Sequence, residues 1–503
     1  MEKDEQTLRE KAKYLVDEQT LKDNRVKDAT EIDLKILNVS KDNYKKYKSN
    51  LDYENMKNDV LNLVHRKAFN ETSELIVEWI ENHNHIYTTK DDKSSEVWFY
   101  RNGIYIPNGR WEIKEICREI LGNYYMQTIT KQVTAKIEAD TLIDPVVFFD
   151  KNYTYEIPVQ NGILNVLTKK LVDYSPEKIF FNKMPVIYDP LATCPLIDKF
   201  LIDVLAYPDD KIVFYEIAGF GLVKDYMLEK AIMMVGDGRN GKSKSMELLK
   251  RMVGIENCAS LPLISLTPDS FCLSELFGKL YNLAGDLSST ALKDTGMFKS
   301  LTGRDIVSAR RKFLRDITFK NHAKFLFACN ELPRVYDYSI GFWERWILLE
   351  FPYRFVDLNI YEKAKPEERR YWKIKDDNII ERISTPEELS GLLNQALEGL
   401  DRLLKNKRFS YSKGTDEIKN TWIRRSDSFM AFCLDHLEDD FEGSISKKEL
   451  RKFYHKYCKT HKVRGVSDKS IKATLQELYG VSEEYTKLLG DYQIFAWTGI
   501  KWK

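Results

Sequence analysis

The chain has 503 residues, of which 43% are hydrophobic and 31% charged, and its 78 basic and 77 acidic residues leave a net charge of +1. This balance excludes a globally basic nucleic-acid binder, while local basic patches remain compatible with it. No apolar run approaches the ~18 residues that a membrane-spanning helix needs, which argues against a membrane partner.

Seven cysteines are scattered along the chain without a CxxC pair. This pattern favours a reducing compartment and argues against a zinc ribbon or a disulfide framework. The charged N-terminus has no signal-peptide core. We therefore expect a cytoplasmic protein.

The N-terminal third predicts helices and one hairpin. Residues 1–55 are rich in Lys, Asp and Glu and predict solvated helices or a mobile arm. Further elements are predicted in the following order: a helix at 73–80, a hairpin at 97–106 turning at Asn102 and Gly103, a helix at 113–121, strands and turns over 146–190, and helices at 196–205 and 212–222. We assign 1–145 as a mixed α/β region with an accessory role in binding DNA or a partner, and 146–215 as a linker with a helical collar.

The stretch 236–243 reads GDGRNGKS and matches the phosphate-binding pattern G-x-x-x-x-G-K-[ST]. An apolar run at 231–235 precedes it as a buried strand would, and 245–252 has helical spacing. A strand, a glycine loop and a helix N-terminus form the geometry that binds phosphate. We expect Lys242 to reach the β/γ-phosphates of ATP and Ser243 to hold Mg²⁺. The predicted nucleotide-binding residues are Gly236, Asp237, Gly238, Arg239, Asn240, Gly241, Lys242 and Ser243.

A second strand is predicted at 280–286, where a short apolar run ends in Asp286. Such a site needs an acid that holds Mg²⁺ with the loop serine and helps to polarise water, and Asp286 is the candidate. The alternative is a strand that ends in a turn aspartate.

The next segment, 299–324, is strongly basic, because Asp305 and Asp316 alone oppose its Lys and Arg residues. Strand-like runs flank 312–316, which predicts a hairpin with a basic tip. The candidate DNA contacts here are Lys299, Lys312 and Arg315. A solvated charged face is the alternative.

A third strand is predicted at 324–330 and ends in Asn330, whose amide can hydrogen-bond the γ-phosphate or the attacking water. After it, the sequence Trp-Glu-Arg-Trp at 343–346 places Arg345 in an aromatic setting just before another strand.

The last segment, 421–503, predicts three helices and a hairpin, which is the pattern of a winged helix. The helices are expected at 427–438, 446–461 and 467–479, with Ser446 and Ser467 as N-caps, and the hairpin at 485–497 with its turn at 490–491. Residues 447–472 carry a large excess of Lys and Arg, as binding to a phosphate backbone requires. Lys469 and Lys472 are the candidate duplex contacts. A protein-docking winged helix, and metal binding by His455, Cys458 and His461, are the alternatives.

Together these motifs resemble the superfamily 3 helicases, in the group encoded by phages, plasmids and poxviruses and often described as primase-associated. The resemblance covers about 150–503 and rests on the loop at 236–243, Asp286, KSLTGRD at 299–305 with Ala309 and Arg310, Asn330, WERW at 343–346, Phe351 and Pro352, NGILNV at 161–166 and YDPLATCP at 188–195. Two departures stand out. Asp286 is a lone acid where the family often has two acids or a Glu, and Arg304 replaces a common second glycine. No primase core is recognisable.

The resemblance implies a multidomain α/β protein. It would have a mixed α+β N-terminal region, a central P-loop AAA+-like helicase core at 216–375, a helical connector at 376–420 and a C-terminal winged helix at 421–503. It implies an ATP hydrolase that works as a homo-hexameric ring and translocates on single-stranded DNA during replication of a virus, phage, plasmid or integrated mobile element. Arg345 would complete a neighbour's nucleotide site, and the hairpin tip would face the ring channel.

Two other functions stay open at this point. One is an NTP-gated origin-binding initiator that does not separate strands. The other is a motor that acts on RNA, which the predicted winged helix disfavours. A separate primase or polymerase is a further candidate partner.

Overall fold

The computed structural model describes residues 41–90, 95–149, 153–267, 271–285, 287, 292, 294–310, 316–337, 339–461, 463, 465–486 and 494–503, with side chains described from residue 52 onward. These residues form two compact units. The first runs to residue 150 without 102–104, and the second comprises 102–104 and the chain from 151 onward. Residues 1–40, where an arm was predicted, lie outside the described residues.

The first unit is a helical layer around a small sheet. Its helices are α1 (Lys41–His65), α2 (Phe69–His83), α3 (Gly109–Leu121), α4 (Gln127–Asp140) and α5 (Pro145–Phe149), and its strands are β1 (Ile86–Thr89), β2 (Glu96–Arg101), β3 (Ile104–Ile106) and β4 (Leu142–Ile143), in the order β3-β2-β1-β4. The predicted hairpin is confirmed, with Asn102 and Gly103 at φ 47° and 98°. Buried Ile and Val side chains from the helices, among them Ile76, Ile113 and Val133, form the core with strand residues.

The second unit begins with an antiparallel sheet of β5 (Glu156–Val159), β6 (Gly162–Asn165) and β7 (Lys170–Val172). Helices α6 (Pro195–Val204) and α7 (Asp210–Phe220) follow at the predicted places. Both present buried apolar side chains to the main core, which extends without interruption from Ile157 to Trp422.

A five-stranded parallel sheet lies at the centre of this core. Its strands are β8 (Ala231–Val235), β9 (Cys258–Ala259), β10 (Tyr281–Ala284), β13 (Lys324–Cys329) and β14 (Trp346–Glu350), and helix α8 (Lys242–Val253) follows β8. The spatial order is β14-β8-β13-β10-β9, and each neighbouring pair is parallel. The carboxyl ends of parallel strands meet at one edge, so the residues after β8, β10 and β13 come together there.

The basic segment forms the predicted hairpin between β10 and β13. Strands β11 (Ile306–Ala309) and β12 (Ile317–Lys320) pair antiparallel, with Ala309 opposite Ile317. Helix α9 (Gly296–Thr302) leads into it, and α10 (Ile340–Trp343) precedes β14. The tip at 311–315 lies outside the described residues.

Residues 354–406 add helices around one small sheet. They comprise β15 (Arg354–Val356), α11 (Leu358–Lys363), α12 (Pro366–Arg369), β16 (Trp372–Ile374), α13 (Ile379–Ile383) and α14 (Pro386–Asn406). Strands β15 and β16 pair in parallel, although the sequence indicated only helix after residue 360. Helix α14 packs along α7, where Gly219 and Gly399 allow close backbone approach.

The C-terminal segment has its own core, formed by residues such as Phe432, Leu450, Leu475, Trp497 and Ile500. Helix α15 (Thr415–Ser426) precedes it and buries Ile418 and Trp422 in the main core. The elements of the segment are α16 (Ser428–His436), β17 (Leu437–Ser446), α17 (Lys447–His461), α18 (Asp468–Tyr479), β18 (Ser482–Thr486) and β19 (Ile494–Trp502), with the sheet order β17-β19-β18.

The N-cap at Ser467 is confirmed, since its hydroxyl accepts from the Ser470 N–H. The expected helix to residue 438 is wrong, whereas Ser446 directly precedes α17 and its N-cap role stays a prediction. Helix α16 ends at His436, and 437–446 forms a strand that pairs with the last strand of the chain. The turn at 490–491 lies outside the described residues, and the winged helix stays a prediction.

Candidate functional site

The loop after β8 requires glycine for two different physical reasons. Gly238 and Gly241 have φ of 88° and 96°, in the left-handed region that favours glycine. At Gly236 the obstacle is space, since an added Cβ would lie 2.4 Å from the Phe351 carbonyl oxygen. Arg239 also has a positive φ, of 51°, and its carbonyl accepts from the Phe355 N–H at 2.8 Å. These conformations turn the chain from the strand directly into α8.

Lys242 is the first residue of α8, and its ammonium group donates hydrogen bonds to three oxygens. Its Nζ lies 2.5 Å from the Gly236 carbonyl oxygen and 3.1 Å from the Oδ1 atoms of both Asn240 and Asn330. The side chain is buried, with 5% of the residue exposed. Asn240 is fixed in turn, because its Nδ2 donates to the Phe351 carbonyl at 3.2 Å. The predicted lysine and the predicted terminal asparagine of β13 therefore meet in one place.

The remaining predicted nucleotide ligands are only partly described. Ser243 is exposed in the first turn of α8, and Asp237 is exposed in the loop. Asp286 lies outside the described residues. Its strand is described, and Ala284 at the end of β10 pairs with Phe327 of β13. The role of Asp286 stays a prediction.

The described loop fits a nucleoside triphosphate. Above Gly238 there is open space, since an added Cβ there would meet no atom closer than Asn330 Oδ1 at 4.0 Å. The N-terminus of α8 faces the loop and carries positive potential, and Lys242 adds a formal charge. Lys242 would bind β/γ-phosphate oxygens, and Ser243 supplies a hydroxyl of the kind that holds Mg²⁺.

Arg345 is not brought together with Lys242. It precedes β14, and its carbonyl accepts from the Ala231 N–H, at the start of β8. The loop lies at the other end of β8, five residues away, or about 16 Å at ~3.3 Å per residue. The guanidinium donates to Thr302 Oγ1 at 2.8 Å, to Glu229 Oε2 at 2.8 Å and to the Gly341 carbonyl.

Of the candidate DNA contacts in the basic segment, the structure describes Lys299. Lys299 forms an ion pair with Asp337 at 2.8 Å. Burial raises the pKa of Asp337, but hydrogen bonds from Lys299, Ser339 and Thr295 outweigh it and hold that pKa well below its usual value. Lys312 and Arg315 lie outside the described residues.

In the C-terminal segment, Lys469 is exposed on α18. Lys472 lies 3.5 Å from Glu483, which also pairs with Lys447 at 2.8 Å. These lysines line a cavity of about 310 Å³ between α17, α18 and the strands, together with Arg451.

The metal alternative for His455, Cys458 and His461 finds no support. Across the described ranges, no group of three His, Cys, Asp or Glu side chains could hold a metal ion. Cys458 is buried, and His461 Nδ1 lies 3.0 Å from the Tyr457 carbonyl oxygen. Cys458 packs in the core of the C-terminal segment, whereas His455 and His461 are exposed on α17.

Sequence reasoning missed the contacts that three residues make near Arg345 and the hairpin. Glu229 and Thr302 contact Arg345; Thr302 lies in the KSLTGRD motif, whereas no local pattern marks Glu229. Arg304 was marked only by its departure from a common glycine. It has a φ of 65°, which suits glycine, and its side chain compensates through an ion pair with Asp225 at 2.9 Å.

Comparison with known proteins supports the resemblance seen in the sequence. Residues 44–206 match a family model described as D5 N terminal like, and 234–341 match a family of unknown function, DUF5906. The chain is 23% identical over 388 residues to "Putative helicase L207/L206" of Acanthamoeba polyphaga mimivirus. These matches support a likeness to the superfamily 3 helicase-like group. The match covers 70% of this chain but only 38% of the mimivirus protein.

Solved structures also resemble this chain, at low similarity. The apo C-terminal region of NrS-1 is 14% identical with a TM-score of 0.42, over 84% of this chain and 98% of that one. A JCV helicase with a bound small molecule is 13% identical with a TM-score of 0.19, over 52% and 69%. Both scores are too low to bear on the fold. Among the described residues, no helix combines the length and apolar character needed to cross a bilayer.

Proposed function

We propose that this protein is an ATP-driven DNA helicase of superfamily 3 that acts in replication of a virus, phage, plasmid or integrated mobile element. The observation that carries the proposal is the meeting of Lys242, Asn240 and Asn330 at the carboxyl edge of a parallel sheet. Hydrolysis needs a cation at the β/γ-phosphates and a polar group near the attacking water. Lys242 and Asn330 supply these two groups within hydrogen-bond distance of each other.

The proposed roles follow from chemistry and position. Lys242 binds phosphate oxygens, and Ser243 with Asp286 holds Mg²⁺, which neutralises phosphate charge when bound. Asn330 orients water beside Lys242. Arg345 stabilises developing charge on the nucleotide of a neighbouring subunit, since it lies at the opposite edge of its own sheet. The protein would therefore act as a closed homo-oligomer, which we take to be a hexamer.

Two parts of the chain are proposed to contact DNA. The hairpin β11–β12, with its basic tip, would hold single strands within the ring. The C-terminal segment would bind duplex as a winged helix, with α18 in the major groove. The side chains of Lys469, Lys472, Ala473 and Gln476 are all exposed on α18. At spacings of three and four residues they form one stripe, as a groove-reading helix needs.

The test measures ATPase rate with and without single-stranded DNA, and strand displacement on a tailed duplex. We expect stimulated hydrolysis and unwinding in the full chain, and neither in Lys242→Ala, which removes the phosphate ligand. Hydrolysis without strand displacement would favour the origin-binding initiator, and stimulation by RNA rather than DNA would favour an RNA motor. Near-wild-type hydrolysis in Lys242→Ala would contradict the nucleotide site itself.

Deleting 428–503, which keeps the fully buried Trp422 of α15 in the main core, separates the two DNA contacts. We expect duplex affinity to fall, with ATPase still stimulated by single strands, because the hairpin remains. Duplex binding by the full chain should weaken steeply with salt, since several phosphates are neutralised. Fluorescence anisotropy checks both. If the truncated protein binds duplex as tightly as the full chain, the segment is a protein-docking module.

A further inference from the structure

The Arg345 guanidinium is held by a buried hydroxyl, by the Gly341 carbonyl and by an exposed carboxylate. Its Nε donates to Thr302 Oγ1 at 2.8 Å, and Thr302 is fully buried. Its Nη2 pairs with Glu229 at 2.8 Å, and the Glu229 side chain is 56% exposed. An exposed ion pair is weak and readily exchanged, whereas a buried hydrogen bond to a charged group is strong. Phosphate oxygens can thus replace Glu229 while Thr302 keeps its hold.

Thr302 is itself fixed at the base of the hairpin. Its hydroxyl donates within α9, with the Phe298 carbonyl at 2.8 Å and the Lys299 carbonyl at 3.1 Å. The hydroxyl lone pairs remain to accept from Arg345. The chain runs from Thr302 through Gly303, Arg304 and Asp305 directly into β11.

The turn between Thr302 and β11 is held by the main chain, because the Asp305 N–H donates to the Ser300 carbonyl at 3.2 Å. Arg304 adopts a φ of 65°, which costs a non-glycine residue energy. Its side chain binds Asp225 at 2.9 Å and the Tyr226 carbonyl at 3.3 Å. Asp225 and Glu229 belong to the same loop before β8. A displacement of the hairpin is therefore transmitted to the contacts of Arg345 instead of being absorbed by the turn.

We propose that Thr302 is a positioning residue that aims the Arg345 guanidinium at a neighbouring subunit's nucleotide and links its position to the hairpin β11–β12. This inference rests on the proposed function, in which Arg345 acts between subunits. It assigns the hydroxyl a role distinct from packing: the Nε contact fixes the guanidinium plane, Nη1 stays with the Gly341 carbonyl, and Nη2 can exchange Glu229 for phosphate. DNA held at the hairpin would shift this hydroxyl and so change the rate of hydrolysis.

The test compares Thr302→Val, which keeps the shape and removes the acceptor, with Thr302→Ser, which keeps the hydroxyl. We expect Thr302→Val to lower kcat about tenfold, equivalent to about 1.4 kcal/mol, and to lose stimulation by single-stranded DNA. KM for ATP should stay within about twofold of the unmodified protein's value, because the substitution does not change the phosphate loop that binds ATP in the same subunit. Thr302→Ser should restore most of the rate. Adding Arg345→Ala to Thr302→Val should cost no more than Arg345→Ala alone.

The outcomes distinguish a failure of the positioning role of Thr302 from a failure of the proposed function. If Thr302→Val hydrolyses ATP normally while Arg345→Ala is inactive, the positioning role is wrong and the helicase proposal stands. If Val and Ser variants are equally impaired, packing rather than the hydroxyl matters, which also overturns the inference. If Arg345→Ala is fully active, the arginine assignment fails first. If a thermal unfolding measurement shows that Thr302→Val is not folded, Thr302→Cys provides the same comparison, because its thiol sulfur is a poor hydrogen-bond acceptor.

Discussion

The phosphate loop offers a matched pair of glycine substitutions with different expected costs. Gly238 and Gly241 both have positive φ, of 88° and 96°. An added Cβ at Gly241 would lie 2.6 Å from Val204 Cγ1, whereas at Gly238 the nearest atom is 4.0 Å away. Val204 is fully buried in α6 and cannot swing aside. Gly238→Ala should therefore incur backbone strain alone, and Gly241→Ala strain plus a clash.

The magnitudes follow from these two terms. A left-handed conformation costs an L-residue about 1–2 kcal/mol, which is the expected loss for Gly238→Ala. Overpacking a core adds about 1–3 kcal/mol, so Gly241→Ala should lose about 2–5 kcal/mol. Because Gly241 immediately precedes α8, its displacement also shifts the first N–H groups of that helix. We expect nucleotide affinity to fall more for Gly241→Ala than for Gly238→Ala.

Urea unfolding measures the loss of stability, and titration with a fluorescent ATP analogue measures the loss of nucleotide affinity. A double-mutant cycle of Gly241→Ala with Val204→Ala isolates the clash with Val204 Cγ1 at 2.6 Å, because removing the γ-carbons leaves only the Val204 Cβ at 3.1 Å and does not change the strain. We expect a favourable coupling of at least about 1 kcal/mol, within the range for residues in contact. Gly238→Ala with Val204→Ala is the control and should show none. Equal destabilisation by the two glycine variants, or no coupling with Val204→Ala, would refute the reasoning.

Two further predictions concern Arg345 and His322. Arg345→Ala should bind ATP but hydrolyse it about 10³-fold more slowly, and mixing it with Lys242→Ala subunits should restore activity at mixed interfaces; no rescue, with subunit exchange confirmed, would indicate a structural arginine. Burial, with the charges of Lys324 and Lys224, lowers the pKa of His322 to about 3. The neutral imidazole of His322 contributes up to about 5 kcal/mol to the free energy of unfolding. This contribution is fully present above pH ~6.5 and is lost as the pH falls toward 3. His322→Gln should lower the pH of acid unfolding seen by thermal scans across pH, and an unchanged midpoint would contradict this.

The central sheet was predictable because its strands carry strong local signals. The run 231–235 forms β8 over the expected residues, since a glycine loop ends it sharply. The apolar runs leading to 286 and 330 form β10 and β13. Asn330 could be placed beside Lys242 because residues that end parallel strands share an edge. Local composition and one topological rule were sufficient there.

Other elements depend on contacts between distant residues, and the sequence missed them. Strand β17 carries Asp and Glu and was read as helix and loop, yet it is ordered by pairing with the last strand of the chain, as between Ile445 and Trp497. β-propensity depends on such partners more than on composition. The same holds for Arg345, whose contacts with Thr302 and Glu229 span 43 and 116 residues. The resemblance named the arginine, and only the structure shows what holds it.

The position of Arg345 argues that the proposed hydrolysis needs more than one copy of the chain. Trp346 pairs with Ala231, and Glu350 with Val235, so the register fixes Arg345 at the start of β8 and the phosphate loop at its end. The side chain is 14% exposed and fastened by Thr302, which prevents it from crossing the length of the strand. An arginine that serves phosphate transfer must then reach the loop of another subunit. A ring in which the amino edge of one sheet faces the carboxyl edge of the next satisfies this requirement. In such a ring, a phosphate of the neighbouring subunit's nucleotide would replace Glu229, the exposed partner of Arg345.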